Sequence, residues 1–283
     1  MKKRILTILL LILMTNGAFA GSFLGMFMMR PKEFFFTKPD QELASAISWN
    51  RTGKIEKLLS KGVDVNCRGK DGITPLMWAL IKGKKKSYRF LLEHGANPNL
   101  RVRQGGSTIS LAAIMKDSDY LRLALKHGGD PNFVDTESDQ VLIIDAIMNR
   151  RKENVDLLIQ HGADLNFRCE KINEFPLMDA AMLSEWDLVH KMIMAGADIH
   201  QKDAWGHTIV FEIEQYPAWD EDQLEWREKV IEYIRAQGVD VRPWTLANGP
   251  GREKWKKKEI DYEKFLANVE KRKKKETEQK KEK

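Results

Sequence analysis

The sequence predicts an all-α repeat solenoid: about five to six helix–turn–helix units joined by β-hairpin fingers. Three observations predict it. A phrase recurs, LLEHGANPN at 91–99 returning as ALKHGGDPN ending at Asn132 and LLIQHGADLN ending at Asn166. Looser copies are LLSKGVDVN, MIMAGADIH and IRAQGVDVR, ending at Asn66, His200 and Arg242. Second, the glycines of these copies, Gly62, Gly95, Gly128, Gly162, Gly196 and Gly238, are spaced by 33, 33, 34, 34 and 42 residues. Such a period marks supersecondary units that bury their apolar faces only by stacking. Third, Ala79, Ala112, Ala146 and Ala180 recur at a constant offset before the glycine. A small residue there lets two helices cross closely.

Each unit opens on a cap and closes on a glycine. Thr74-Pro75-Leu76-Met77-Trp78-Ala79 begins a helix with a hydroxyl cap and a proline in the first turn, where its missing N–H costs nothing. At the same offset lie Ser107 to Ala112, Val141 to Ala146 and Phe175 to Ala180, while Thr208-Ile209-Val210 opens a further unit. The glycine after the second helix suits the left-handed residue that ends it. His94, His127 and His161 precede that glycine, where a cation suits the helix C-terminus. Their spacing of one repeat is too wide for shared ligation of a metal.

These residues resemble the ankyrin family, whose mark is Thr-Pro-Leu-His-x-Ala. Tetratricopeptide repeats share the period but not the residues. The motif's His is replaced in every copy, and only the copy at Thr74 is otherwise intact. The resemblance covers about residues 40–242. The last step of 42 implies an insertion near 215–222, around QYPAWDED, and a long second helix near 223–237. Terminal repeats are often atypical because they cap the stack. A functional loop carrying Tyr216 and Trp219 is the competing reading.

The ends divide the chain into a signal peptide (1–20), an apolar segment (21–40), the repeat domain (41–242) and a capping helix with a basic tail (243–283). Lys2, Lys3 and Arg4 precede ten residues that are apolar except for Thr7, and Ala18-Phe19-Ala20 offers a cleavage site. That pattern predicts cleavage after Ala20 and export, with the periplasm as destination. The apolar run is about half the ~20 residues a span requires. The segment GSFLGMFMMRPKEFFFTKPD is too apolar for a free tail. It is expected to cap the first repeat, the alternative being insertion into a partner or lipid. The chain is net +6, but residues 252–283 alone carry +6 and the first four +3, so residues 21–251 are net −3. The tail reads as a solvated helix end, with nucleic acid or an anionic membrane as the other option. Trp255, Tyr262, Phe265, Leu266 and Val269 share a helical face and predict that its first part docks on the body. Cys67 and Cys169 fall three repeats apart, too far for a disulfide, so two free thiols are expected.

No Gly-x-Ser-x-Gly, phosphate loop or His-Glu-x-x-His is present. The reading is a binding protein rather than an enzyme, with no cofactor, metal or small-molecule substrate. Following the resemblance, the two residues after each small alanine pair face the concave side: Trp49, Ile81, Lys82, Ile114, Met115, Met148, Met182 and Leu183. These are mostly apolar where polar residues are usual, which marks an interface, and methionine adapts to a partner's shape. A register error would instead make them core. Arg68, Lys70, Arg101 and Arg103 make the first two fingers basic, Asp135, Glu137 and Asp139 make the third acidic, and Trp205 lies on the last. A surface split by sign suits a protein partner and not nucleic acid, which requires a continuous basic track.

With TPLMWA, FLLEHGANPN and LALKHGGDPN in order behind an export signal, the chain resembles exported bacterial ankyrin proteins found beside phospholipase toxins of the type VI secretion machine. That resemblance implies an immunity protein which binds and neutralises the lipase in the periplasm. The alternative is a periplasmic accessory protein in peroxide resistance, associated with a catalase that stays active when bound.

Overall fold

The computed structural model describes residues 30–103, 105–169, 175–215, 220–242, 264, 266–275 and 278. The segment read as a signal peptide (1–20), residues 21–29, Tyr216, Trp219, Trp255, Tyr262 and Phe265 lie outside the described residues. These form two compact units that divide between Asp164 and Leu165.

In the first unit, a short helix α1 (Pro31–Phe34) leads into four helix pairs: α2 (Lys38–Ser48) with α3 (Thr52–Leu59), α4 (Pro75–Ile81) with α5 (Lys85–Glu93), α6 (Thr108–Ile114) with α7 (Asp119–Lys126), and α8 (Leu142–Met148) with α9 (Lys152–Gln160). First helices stack on first helices and second on second, so α2, α4, α6 and α8 form one layer and α3, α5, α7 and α9 the other. Ala79, Ala112 and Ala146 are fully buried between them. In the second unit, α10 (Pro176–Met182) pairs with α11 (Trp186–Met194), α12 (Ile209–Gln215) stacks on α10, and α13 (Glu221–Ala236), the expected long terminal helix, packs on α11. Residues 266–275 are helical; Val269 is buried and Arg272 pairs with Glu221, so the tail docks beside the start of α13.

The predicted caps form where the sequence supplies a hydroxyl. Thr37 Oγ1 accepts from Asp40 N, and Thr74 Oγ1 from Met77 N. Ser107 and Ser110 cap each other's backbone N–H groups, each accepting through its hydroxyl. Val141 and Phe175 offer no such bond. All six repeat glycines are left-handed, with φ from 79° to 100°. His94 closes its helix as expected: the ring lies 2.7 Å from the Phe90 carbonyl oxygen and stacks on the Phe90 ring.

The recurring Asn at the end of the phrase is a staple between repeats. The amide nitrogens of Asn66, Asn99, Asn132 and Asn166 donate to the carbonyls of Gly95, Gly128, Gly162 and Gly196. Their amide oxygens accept from the N–H of Asn97, Asp130, Asp164 and Asp198. The acidic or amide residue two positions earlier accepts from the N–H of the first three of these asparagines through its own side chain. The phrase therefore repeats because each copy holds the next.

The turn between helices is equally periodic, with one exception. Asn50, Gly83, Arg150 and Ser184 are left-handed there, and the next N–H reaches back to Ala46, Ala79, Ala146 and Ala180. The third repeat, with Lys116 and Asp117, lacks this closure: its helix ends at Ile114 and Met115 runs extended. Neighbours cover the exposed carbonyls. Asn154, fully buried in α9, donates to Ala113 at 2.7 Å and Met115 at 3.0 Å, and Arg151 donates to Ile114. From the other side Lys85 pairs with Asp117 and Asp119, both at 2.7 Å.

The fingers differ from the expected hairpins. Among the described residues there is one isolated bridge, Val134 to Val141, and no strand ladder. Fingers among the described residues are tight turns closed by bonds such as Gly69 N to Ile73 O and Asp203 N to His207 O.

Candidate functional site

The face that the sequence predicts to bind a partner comprises the ends of the first helices and the fingers, taken unit by unit. In the first unit Trp49 is 71% exposed and Met148 51%, while Ile81 and Met115 are half-buried. In the second unit Met182 is 59% exposed and Leu183 half-buried. Two predicted members lie inside the protein. Ile114 is 4% exposed, because the third repeat ends its helix without the left-handed turn and tucks this side chain inward. Lys82 is 8% exposed: its ammonium lies 4.8 Å from the centre of the Trp78 ring. Burial and the neighbouring Lys84 hold its pKa below the usual range, and Glu33 opposes them.

The described part of the N-terminal segment, from Arg30 onward, packs against Trp78 and the first finger. Phe34 and Phe35 contact the Trp78 ring at 5.4 and 5.8 Å between centroids. Trp78 donates its indole N–H to Ala44 and Ser48 of α2, so one side chain ties segment and two repeats together. The backbone of Phe34 passes over Gly69 so closely that a Cβ there would collide with the Phe34 carbonyl. Phe36 remains exposed, at the rim of a shallow depression shared with Arg68, Asp71, Arg101 and Arg103.

The finger charges separate into two kinds. Arg68 donates to the carbonyl of Arg101, Arg101 to that of Val134, and Arg168 to that of Lys202, each at 2.6 or 2.7 Å. These guanidinium groups reach the same backbone position one repeat on, and stabilise the stack. Arg101 also lies on the Phe133 ring at 4.3 Å. Asp135 similarly caps its own turn, accepting from the N–H of Glu137 and Ser138. Lys70, Arg103 and Glu137 are exposed at the tips; Arg103 approaches Asp71 at 3.6 Å. Asp139 is half-buried in a left-handed turn position. Trp205 is 80% exposed on the last finger, where His207 stacks on Phe211 and sits 3.3 Å from Asp203.

Cys67 and Cys169 are free thiols. Burial, with help from Asp40 and Asp64, pushes the Cys67 thiol up to about 12, far from nucleophilic thiolate chemistry. Among the described residues no group of three His, Cys, Asp or Glu side chains could hold a metal, and no helix is long and apolar enough to cross a membrane. Sequence reasoning passed over Asp145, a carboxylate on α8 whose helical position is held by Trp78 and Leu111 in the two preceding repeats. The signal was available as a charge in an otherwise apolar LIIDAIM helix.

No curated protein matches the chain. Among solved structures, the ankyrin repeat domain of Bcl-3, a member of the IkappaB protein family, is similar at TM-score 0.58 and 20% identity, covering 70% of this chain and 86% of that one. The sequence model described as ankyrin repeats (3 copies) matches residues 43–135 and 109–203, together more than half of the chain. With glycine register, asparagine staples and this match in agreement, the chain belongs to the ankyrin-repeat family, whose stacked units serve as protein-binding scaffolds.

Proposed function

We propose that the protein is a periplasmic immunity protein that binds a phospholipase delivered by type VI secretion and neutralises it one-to-one. The observation carrying this reading is the exposure of Trp49 and Met148 at the ends of first helices in the first unit, where polar residues are expected of a surface facing only water. Such a face fits a lipase surface that is itself apolar because it must meet lipid. The leader-like pattern from Lys2 to Ala20 supports an encounter outside the cytoplasm. The exposed tip charges steer the approach and fix the register of docking.

The test is affinity capture by the full chain expressed with its own leader, recovered from the periplasmic fraction of the source cells. A secreted lipase that elutes at one-to-one ratio, and whose phospholipid hydrolysis stops on addition of this protein, establishes the reading. Recovery of an enzyme such as a catalase that remains active on binding refutes it in favour of an accessory role. Retention of the protein in the cytoplasm overturns the assigned compartment.

A further inference from the structure

The first unit holds a carboxylate that the repeat architecture leaves unused. Trp78, at the equivalent position, bridges to the preceding helix through its indole N–H. Asp145 has no side-chain hydrogen bond or ion pair among the described residues. Its side chain is half-buried and keeps an opening to solvent. Burial raises its pKa, and the charge acting on it is a like one, Asp135 of the third finger. That places the carboxylate on the finger side of α8. One turn further along the same helix Met148 stands exposed, and Met115 is half-buried at the end of the preceding first helix. Arg101, the cation on the adjoining finger, is already committed to the carbonyls of Gly105 and Val134.

We propose that this stretch of α8 receives a lysine or arginine side chain of a protein partner, its cationic head pairing with Asp145 and its alkyl stem lying against Met148. Docking strips water from Asp145, and an unpaired carboxylate resists that unless a cation arrives with the partner. A wholly apolar contact would force Asp145 to take up a proton at pH 8, and an acidic one would add a like charge beside Asp135. A long basic side chain supplies both the charge and the apolar stem the site offers. A bare metal ion is less suited, since two carboxylates fall short of the ligand number that calcium or magnesium takes. The inference rests on the inner face being a protein-binding surface and adds the chemistry of one contact on it.

The probes are two peptides, acetyl-Leu-Arg-Leu-amide and acetyl-Leu-Gln-Leu-amide, titrated at pH 8 into isotope-labelled full chain and followed by amide shifts. The arginine peptide is expected to bind in the range of about 1 mM, shifting residues 134–148, and at least ~10-fold more tightly than the glutamine peptide. D145N, which removes a charge and keeps the shape, loses that preference, while E56Q, a change on the exposed side of α3, keeps it. Equal binding of the two peptides, shifts confined to other residues, or a preference that survives D145N overturns the proposal. If a captured lipase binds wild type and D145N equally, the contact is wrong and the interface reading stands. If no partner is captured but the arginine peptide binds as expected, the site stands and the immunity reading falls.

Discussion

The side-chain amide of Asn154 donates to the carbonyl of Ala113 at 2.7 Å, from one repeat into the turn of the one before. Asn154 thereby replaces a backbone closure that Lys116 and Asp117 do not make. Asn154→Ala leaves the carbonyls of Ala113 and Met115 short of a donor in a buried place. The expected loss is about 2–3 kcal/mol of unfolding free energy in urea. A loss within experimental error would mean that the turn closes in some other way.

The staples on the exposed edge cost less to remove. Asn99→Ala deletes a donor to Gly128 and an acceptor for Asp130, but water can replace both. About 1 kcal/mol is expected, with hydrogen exchange quickening first at Gly128 to Asp130. Uniform quickening across the unit would contradict a staple that joins two neighbours.

Gly69→Ala tests the N-terminal cap. The added methyl meets the carbonyl of Phe34, so the segment carrying Phe34 and Phe35 must lift from Trp78. Trp78 is fully buried, and its emission should shift to the red while far-ultraviolet dichroism stays nearly constant. An unchanged spectrum would show that the segment is not pinned at Gly69.

Asp145 sets a pH dependence with a defined sign. Its pKa is raised from 3.8 to about 7, by burial first and then by Asp135. The folded state thus holds the proton more tightly than the unfolded chain, so stability falls as pH rises through about 4 to 7 and levels off above. The upper bound is about 4 kcal/mol, reduced by water reaching the carboxylate. Asp145→Asn should therefore stabilise the protein at pH 8 and do little at pH 4, measured as midpoints of urea unfolding. Equal effects at both pH values would rule out this titration.

Trp49→Asp with Met148→Asp separates surface from core. Both side chains are exposed, so stability should move by no more than about 0.5 kcal/mol for each change while partner binding is lost. Ile114→Asp, at a buried site, should unfold the first unit. Partner binding that survives the double change would remove the inner face from the interface.

The register of the fold was legible because its determinants are local. A left-handed residue calls for glycine, and a close helix crossing for alanine, so Gly62 to Gly238 and Ala79 to Ala180 can be read without knowing what surrounds them. Site residues depend on tertiary neighbours. Lys82 is covered because Trp78 lies beneath it, and Ile114 turns inward because one turn in the series is built differently. Arg68 and Arg101 look like free finger charges until their reach of one repeat is known. Asp145 could be seen as an oddity in an apolar helix, but its lack of a partner is a fact of three dimensions.

The asparagine staples have a genetic consequence. Asn99 needs only a glycine carbonyl and an N–H one period later, and the residues from Gly95 to Asn132 supply both ends of that pattern. A copied block of 33 residues would therefore meet ready-made partners on either side. Gene duplication can lengthen such a chain in single steps, with the joints intact at once and the outward-facing side chains left open to later change.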